Sequence, residues 1–317
     1  MLAYIVRRLI QTIFVIFIVS FIAFMIIHLI PGDPIITMLG LEATQEQIDI
    51  LRAELWLDRP MMVQYGHWLG NVLRGDFGKS IMYREDVSGL IAKRLPISLY
   101  LAGCALLIST VLGITAGIIC AIRRGGLLDQ VITVCATLGV ATPQFWIGIL
   151  LIYAVGLKLG WLPIQGWTSP LDDFGLSIRK SILSIFCLAI VPVAGLARQT
   201  RSVMLEVIQQ DYIRTAWAKG LSERVVVLRH ALKNALIPVV TLLGLRLRML
   251  FGGAVLIETI FNVPGIGRLL VRSVFDKDFV IVQACVLVMA IVTCFVNIVV
   301  DMSYGYLDPR IRYVYGV

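Results

Sequence analysis

The chain has 317 residues, of which 59% are hydrophobic and 15% are charged, whereas about a quarter of the residues in ordinary soluble domains are charged. This composition and the mean hydropathy of +0.89 exclude a disordered, collagen-like or nucleic-acid-binding chain and indicate a polytopic membrane protein. The net charge of +8 comes from 28 Lys and Arg against 20 Asp and Glu, and the positions of these bases predict orientation.

Six apolar runs of roughly 20 residues each are long enough to cross a bilayer as helices. They span residues 9–30, 97–122, 131–157, 182–205, 235–257 and 279–300. We therefore predict an all-α integral membrane protein with six transmembrane helices. Pro192 interrupts the fourth run, and Pro143 breaks the hydrogen-bond ladder of the third, where we expect a packing kink rather than a hinge.

The Lys and Arg residues between the runs predict that both termini face the cytoplasm. With the amino terminus inside, the inner segments carry 13 bases and the outer segments also carry 13. Seven of the outer bases lie in the first loop, and loops beyond about 60 residues are poor orientation signals. Without that loop the comparison is 13 bases inside against 6 outside, which favours this orientation.

Two loops are long enough to have structure of their own. Residues 31–96 form a sizeable external loop region, and its half at 42–68 has helix-like apolar spacing, so we expect an external cap. Residues 198–233 form a cytoplasmic coupling loop with 7 bases and 3 acids, and its helical pattern continues throughout. Because no internal repeat is present, residues 1–317 are predicted to form a single transmembrane domain.

The sequence lacks the motifs of the common enzyme chemistries. It contains no Gly-x-x-x-x-Gly-Lys-Ser/Thr phosphate loop, so ATP-driven work requires another subunit. Its three histidines, His28, His67 and His230, form no His-Glu-x-x-His motif, and no Gly-x-Ser-x-Gly elbow is present. All six cysteines fall within apolar runs and have no metal-ligand spacing. We therefore predict no catalytic residue, no metal and no cofactor bound by this chain.

The inner loop contains a short segment, from Asp211 to Gly220, with a helical pattern. Tyr212, Ala216 and Gly220 recur at i, i+4 and i+8 and predict one stripe that permits close approach of a partner. Gly220 is expected to end or bend the helix. Such a helix either lies in a groove of a partner protein and transmits a push or rests on anionic lipid headgroups, and the pattern leaves both interpretations open.

This loop resembles the cytoplasmic coupling loop of ABC importer membrane subunits, and it is similar to the B-type permeases of the dipeptide, oligopeptide and nickel class. Six further blocks resemble that class in the same order: YIVRRL at 4–9, IPGDP at 30–34, GDFGKS at 75–80, RLP at 94–96, ETIFNVPGIG at 258–267 and DPRIR at 308–312. The resemblance covers nearly the whole chain. Arg214-Thr215-Ala216 departs from it, because Glu-Ala-Ala stands at these positions in the broad importer consensus.

The resemblance implies a bacterial or archaeal cytoplasmic membrane complex in which this chain pairs with a related second permease as a heterodimer. It also implies two cytoplasmic ATPase subunits, which would bind ATP and Mg²⁺, an external solute-binding protein and contact with membrane lipid. Nucleic acid is not an expected partner. The residues assigned to coupling with the ATPase subunits are Asp211, Tyr212, Arg214, Thr215, Ala216, Ala218, Lys219 and Gly220.

Three polar residues within the apolar runs are candidates for the translocation pathway. Arg246 and Arg248 lie about 10 residues into the fifth run, near mid-depth, where an arginine costs at least about 2.5 kcal/mol. One of them would attract a substrate carboxylate, or, as we favour, they snorkel or pair structurally with the second permease. Asn297 on the sixth run is a further candidate.

We therefore expect a transport subunit rather than an enzyme, which imports di- and oligopeptides and is driven by separate ATPase subunits. Nickel chelates and oligosaccharides are alternative cargoes, because the motifs of this group do not specify the cargo. A stand-alone channel or ion-coupled transporter is a hypothesis of a different class. It predicts that the purified chain alone moves solute.

Overall fold

The computed structural model describes residues 2–29, 32–40 and 42–307, and the side chains at 2–4, 237, 240–242, 244–251 and 303–307 lie outside that description. Apart from an isolated bridge between Lys79 and Asp86, the regular structure of the described residues is helical. The helices are α1 (Leu2–His28), α2 (Pro34–Leu39), α3 (Gln45–Glu54), α4 (Met61–Leu73), α5 (Val87–Ile122), α6 (Leu127–Ala141), α7 (Gln144–Leu151), α8 (Phe174–Ile208), α9 (Asp211–Ala218), α10 (Glu223–Val225), α11 (Leu232–Ile260), α12 (Ile266–Phe275) and α13 (Phe279–Leu307). The predicted all-α membrane class is confirmed.

Four of these helices, α1, α5, α8 and α13, are each long and apolar enough to cross a membrane. The helix α7 continues as π-helix over Ile152–Lys158. Together with α6 it forms a bent pair, which is long and apolar enough for a fifth crossing if the pair is counted as one span. The fifth predicted run lies in α11, most of whose central side chains are outside the described residues. The count of six spans therefore stays a prediction.

The chain breaks at Pro143 instead of forming the packing kink that we expected in the third run. The helices on either side of the break, α6 and α7, are inclined by 107°. Thr142 is extended, with a ψ of 131°, because a proline disfavours helical geometry in the residue before it. Pro143 itself has a ψ of 130° and precedes the first residue of α7. The predicted span 131–157 is therefore two helices.

The structure divides into two compact units, of which the first comprises Leu99–Val263 and residues 299–307. Its central element is α8, which packs against α6, α7 and α11. Small residues allow close packing: Gly139 of α6 lies against Ile190 and Ala194, and Gly148 of α7 lies against Cys187. Pro192 lies within α8 without ending it, so the fourth predicted run is one continuous helix.

The second unit comprises Leu2–Ser98 and Pro264–Ile298. Tyr65 of α4 packs edge-on against Phe21 and Phe24 of α1, with ring centroids 5.3 and 5.4 Å apart, and its hydroxyl is 2.7 Å from Ser20 Oγ. Asp278 is buried and accepts hydrogen bonds from Ser80 Oγ at 2.6 Å and the Met82 N–H at 3.1 Å. These contacts fix parts of the 31–96 region to α1 and to the turn before α13.

The helical spacing predicted within residues 42–68 is confirmed, because α3 and the first half of α4 lie there. Thr44 and Gln47 form a reciprocal capping box that starts α3. The rings of Trp56 and His67 stack with their centroids 3.8 Å apart and join the turn after α3 to α4. The external position of this region stays a prediction.

Candidate functional site

A short helix, α9, follows α8 after a two-residue break in the predicted coupling loop. Gln210 is extended, and its carbonyl accepts a hydrogen bond from the Ile213 N–H at 3.0 Å. Asp211 places a negative charge in the first turn, where the helix dipole favours it. Gly220 stops the chain from continuing as helix, because it has a φ of +77° and its N–H donates to the Trp217 carbonyl at 2.9 Å. The predicted helix end at Gly220 is confirmed.

The helical pattern predicted throughout residues 198–233 is interrupted twice. One break separates α8 from α9, and the other separates α9 from α10, which continues as π-helix over Val226–Ala231 into α11. Each break ends a helix, and α9 packs against residues of the helices on both sides. The spacing of apolar residues did not reveal these breaks, because the same helical spacing continues across them.

One face of α9 packs against the same unit of the chain. Ile213 is 0% exposed and Ala216 is 7% exposed. They join a core formed with α8 and with the π-helical stretch at Val226–Ala231. The buried members of this core are Ala121, Met204, Ile213, Ala216, Val226, Val227, Ala231 and Ala235. This packing ties α9 to both flanking helices, so that a displacement of α9 must be shared with α8 and α11.

A hydrogen bond also ties the first turn of α9 to the start of α11. Asn234 Nδ2 donates to the Tyr212 hydroxyl at 2.7 Å. The Tyr212 side chain still presents 43% of its surface. Tyr212 therefore has a positioning contact inside the chain in addition to any contact with a partner.

The exposed face of α9 differs from the predicted stripe. Ala216 is buried in this chain's own core because it lies three residues from Ile213 and faces the same way. Gly220 is open, with no atom within 4 Å of the position that a Cβ would occupy. Tyr212, Ala216 and Gly220 therefore do not share one exposed stripe, although Tyr212 and Gly220 are both exposed.

The other assigned coupling residues lie on the exposed face. Asp211 and Arg214 pair at 3.4 Å while both remain largely exposed, and Thr215 Oγ1 donates to the Asp211 carbonyl at 3.0 Å. Trp217, which the sequence analysis did not assign, adds an aromatic ring that is 43% exposed. The exposed set is Asp211, Tyr212, Arg214, Thr215, Trp217, Ala218, Lys219 and Gly220. The coupling role of these residues stays a prediction.

The pathway candidates lie on two helices, α11 and α13. Arg246 and Arg248 lie within α11, but their side chains are outside the described residues. Asn297 lies on α13, and its Oδ1 atom is buried without a hydrogen-bond partner in the part of the chain that the structure describes. Their assignment to a pathway stays a prediction.

A partly buried ion pair that the sequence did not predict joins α6 to α8. Arg201 Nε and Nη2 donate to the two carboxylate oxygens of Asp129 at 2.7 and 2.8 Å. The side chains are 31% and 5% exposed, respectively. The Gly125 N–H donates to the same carboxylate at 3.0 Å, so the connection before α6 is included in the network.

A second missed feature is the close crossing of α5 and α8. A Cβ at Gly113 would lie 2.6 Å from Leu196 Cβ, and a Cβ at Gly117 would lie 2.5 Å from Thr200 Cβ and 2.7 Å from the Ala197 carbonyl oxygen. The Gly-x-x-x-Gly spacing that permits such a crossing is present in the sequence and is a known signal of close helix contact.

Gln144 supplies a hydrogen-bond donor where Pro192 removes one. A proline at 192 leaves the Leu188 carbonyl without its usual helical donor. The Gln144 Nε2 atom donates to the Leu188 carbonyl at 3.2 Å and to the Cys187 carbonyl at 3.1 Å. The break at Pro143 therefore places Gln144 so that it satisfies the backbone of α8.

Replacing Gln144 by methionine is expected to lower the free energy of unfolding by about 1–3 kcal/mol, because a buried carbonyl loses its donor. In a Pro192→Ala background the amide at 192 can donate again, so the same replacement should cost less. Denaturant unfolding of the four proteins of this double-mutant cycle measures the difference. If Gln144→Met lowered the free energy of unfolding equally in both backgrounds, the hydrogen bond to the Leu188 carbonyl would not be the source of the loss.

Comparisons with known proteins agree with the all-α membrane fold. Residues 113–313 match the family model described as binding-protein-dependent transport system inner membrane component, and residues 1–102 match the N-terminal model of such components. The chain belongs to this family of transport-system inner membrane components. It is therefore a multi-pass inner membrane protein and a transport subunit rather than an enzyme, and the family implies a complex with ATPase and binding-protein partners.

Full-length relatives are named as permeases. The chain is 39% identical, over 98% of its length and 99% of the relative, to a probable peptide ABC transporter permease protein of Sinorhizobium fredii. It is 42% identical, over 99% and 100%, to a putative peptide transport system permease protein of Brucella abortus. It is 40% identical, over 99% and 100%, to the glutathione transport system permease protein GsiC of Shigella boydii. The predicted resemblance to ABC importer membrane subunits is confirmed.

Solved structures share the fold at low sequence identity. The inward-facing MetNI methionine ABC transporter is 15% identical, with a TM-score of 0.54 over 69% of this chain and 96% of that chain. An amino acid ABC transporter with histidines is 16% identical, with a TM-score of 0.50 over 69% and 94%. These structures support the all-α transporter fold of the matched part.

Proposed function

We propose that this chain is a permease subunit of an importer of di- and oligopeptides. It would work as a heterodimer with a related second permease, together with two ATPase subunits and an external solute-binding protein. The names of the full-length relatives, which include peptide and glutathione permeases, support this class of cargo. ATP and Mg²⁺ would be bound by the ATPase subunits and not by this chain.

The observation that carries the proposal is the two-sided character of α9. One face is buried against α8 and the π-helical stretch, whereas the other exposes Tyr212, Trp217 and a set of charged side chains. An aromatic ring surrounded by charges is typical of a protein interface. A helix that only covered the core of its own chain would not need this exposed ring.

The packing of α9 suggests how movement reaches the membrane. A force on α9 passes through Ile213 and Ala216 to Met204 of α8, and through Tyr212 to Asn234 of α11. Because packed cores resist compression, both long helices would move with α9 as rigid bodies. ATP-driven closure of the ATPase subunits would in this way tilt the membrane helices between outward and inward states.

This proposal requires α9 to lie on the cytoplasmic side of the membrane. The excess of Lys and Arg in the inner segments, 13 against 6 when the long first loop is omitted, supports that side and cytoplasmic termini. A protease that is added outside sealed cells, and cannot enter them, should therefore not cleave the segment around α9. Cleavage there from outside would overturn the proposal.

Alternative cargoes and a stand-alone mechanism are separated by reconstitution. The complete complex in proteoliposomes, with its solute-binding protein outside, should hydrolyse ATP faster when di- or oligopeptides are added. If only a nickel chelate or an oligosaccharide stimulated ATP hydrolysis, the proposed mechanism would still hold, but the cargo would be that compound and not a peptide. Solute transport by the purified chain alone, without ATPase subunits, would instead favour the channel or ion-coupled transporter.

Gly220 offers a sharp test of the docking role of α9. Asparagine tolerates the left-handed conformation of Gly220 and adds a side chain in the open space beside it. If a partner approaches this position closely, Gly220→Asn should lower peptide uptake per ATP hydrolysed by at least about fivefold, as a loss of about 1 kcal/mol of coupling predicts. ATP hydrolysis itself should continue.

A matched control exists at Gly160, which also has a positive φ, +62°, and open space around it. Gly160 lies on the connection after α7, away from α9 in the sequence. Gly160→Asn should leave uptake per ATP unchanged. Normal coupling in the Gly220→Asn complex would contradict the docking role, whereas equal losses at both positions would point to a general effect on the fold.

A further inference from the structure

An apolar groove runs along the first unit between α5, α6 and α8. Its walls include Leu112 of α5, Val131 and Ala136 of α6, and Phe186 and Ala194 of α8. Small side chains keep the groove open because they leave space that larger residues would fill. The apolar surface continues outside the groove, where Val134 and Leu138 of α6 are 57% and 60% exposed.

One end of the groove is basic. Ala136 and Ala197 line both the groove and an adjoining cavity, and the adjoining cavity is also lined by Arg198 and Arg201. Arg201 uses its Nε and Nη2 atoms for Asp129, which leaves Nη1 to donate elsewhere. Arg198 is exposed and makes no ion pair within the described part of the chain. Because Asp129 neutralises Arg201, Arg198 gives this end a net positive charge.

We propose that this groove is a binding site for an anionic glycerophospholipid of the surrounding bilayer. One acyl chain lies along the apolar walls, and the phosphate group meets Arg198 and the Nη1 atom of Arg201. A molecule with an apolar tail and an anionic head matches both parts of the site, and basic pockets between transmembrane helices favour such headgroups. Arginine binds phosphate oxygens with several donors at once.

The charge at the groove's end is the argument for a lipid over a polypeptide. A transmembrane helix seated in the groove would bury Arg198 and would have to bring an acid to the same depth, which is rare and costly. A lipid phosphate lies at the end of its acyl chains and supplies that charge without burying it. Because Arg198 belongs to α8, the bound lipid would hold α6 against α8 near the Asp129–Arg201 pair.

A photoactivatable phosphatidylglycerol with a diazirine in its acyl chain tests the site. The complete complex is placed in phosphatidylcholine nanodiscs that contain the probe, illuminated and digested, and the labelled peptides are identified by mass spectrometry. The proposal predicts labelling of the α6 and α8 segments that line the groove. A phosphatidylcholine analogue of the probe should label them about fivefold less, as expected for one basic side chain near a headgroup.

Two pairs of variants separate the headgroup contact from the acyl-chain contact. Arg198→Gln should lower phosphatidylglycerol labelling about fivefold, whereas Arg179→Gln, at the opposite end of the same helix and also exposed, should not. Ala136→Phe fills the groove and should abolish labelling, whereas Leu138→Phe, on the exposed side of the same helix, should leave it unchanged. All four variants should keep the elution volume of the intact complex.

Two results would overturn the proposal. Equal labelling by the phosphatidylglycerol and phosphatidylcholine probes would show that the groove does not select an anionic headgroup. Efficient cross-linking of Cys135, which lines the groove, to the second permease by a short bifunctional maleimide would show that a protein covers it. Neither result would bear on the peptide cargo or on the docking of α9, so the two proposals fail independently.

Discussion

Replacing Gly117 by alanine is expected to force α5 and α8 apart and to lower the free energy of unfolding by about 1–3 kcal/mol. The added Cβ would lie 2.5 Å from Thr200 Cβ and 2.7 Å from the Ala197 carbonyl oxygen. Because one of these atoms belongs to the backbone of α8, a change of rotamer cannot relieve the contact. The helices must move, and the packing of α8 against α6 and α11 opposes that movement.

Gly103 provides a control on the same helix. A Cβ at Gly103 would have no atom within 4 Å, and alanine favours a helix over glycine by about 1 kcal/mol. Gly103→Ala should therefore leave the stability unchanged or raise it. Denaturant unfolding of both variants in the same detergent gives the comparison, and a Gly117→Ala protein as stable as Gly103→Ala would show that α5 and α8 do not cross so closely.

The long helices were the most predictable part of this fold, because the length of an apolar run is a local property of the sequence. Five of the six predicted runs lie largely within one helix each, in α1, α5, α8, α11 and α13. The helices are longer than the runs because they continue into amphipathic and charged sequence, as where α5 begins at Val87 and passes Pro96 without ending.

The break in the third run was only partly predictable. Pro143 marks the position from sequence alone, but the size of the change, 107°, depends on where Gln144 finds partners. Those partners are the carbonyls of Cys187 and Leu188, which lie more than 40 residues away along the chain. A local rule does not contain that information.

The position of α9 was predictable, but its orientation was not. Gly220 fixes the end of the helix through a backbone conformation that favours glycine. In contrast, Ala216 belongs to two helical stripes, one with Tyr212 and Gly220 and one with Ile213. Contacts with Met204 and Val227 decide between them, and these residues lie outside the segment that carries the pattern.

Replacing Arg201 by methionine is expected to destabilise the protein by about 3–5 kcal/mol, because it leaves the charge of Asp129 without its partner. The Asp129 side chain is only 5% exposed, so water cannot take the place of the guanidinium. Replacing the other partner, Asp129→Asn, should lower the free energy of unfolding by less. Arg201 is 31% exposed and its long side chain can turn toward water.

This difference between the two single variants is the informative result, since a simple loss of one attraction would cost the same from either side. The double variant Arg201→Met with Asp129→Leu should recover much of the loss, because it buries no unpaired charge. Lys93→Gln serves as the control, because Lys93 pairs with Glu85 at 3.5 Å in an exposed position, and exposed pairs contribute about 0–1 kcal/mol. Unfolding titrations that gave equal costs for Arg201→Met and Asp129→Asn would show that the pair acts as a simple attraction and that an unpaired Asp129 carries no additional burial penalty.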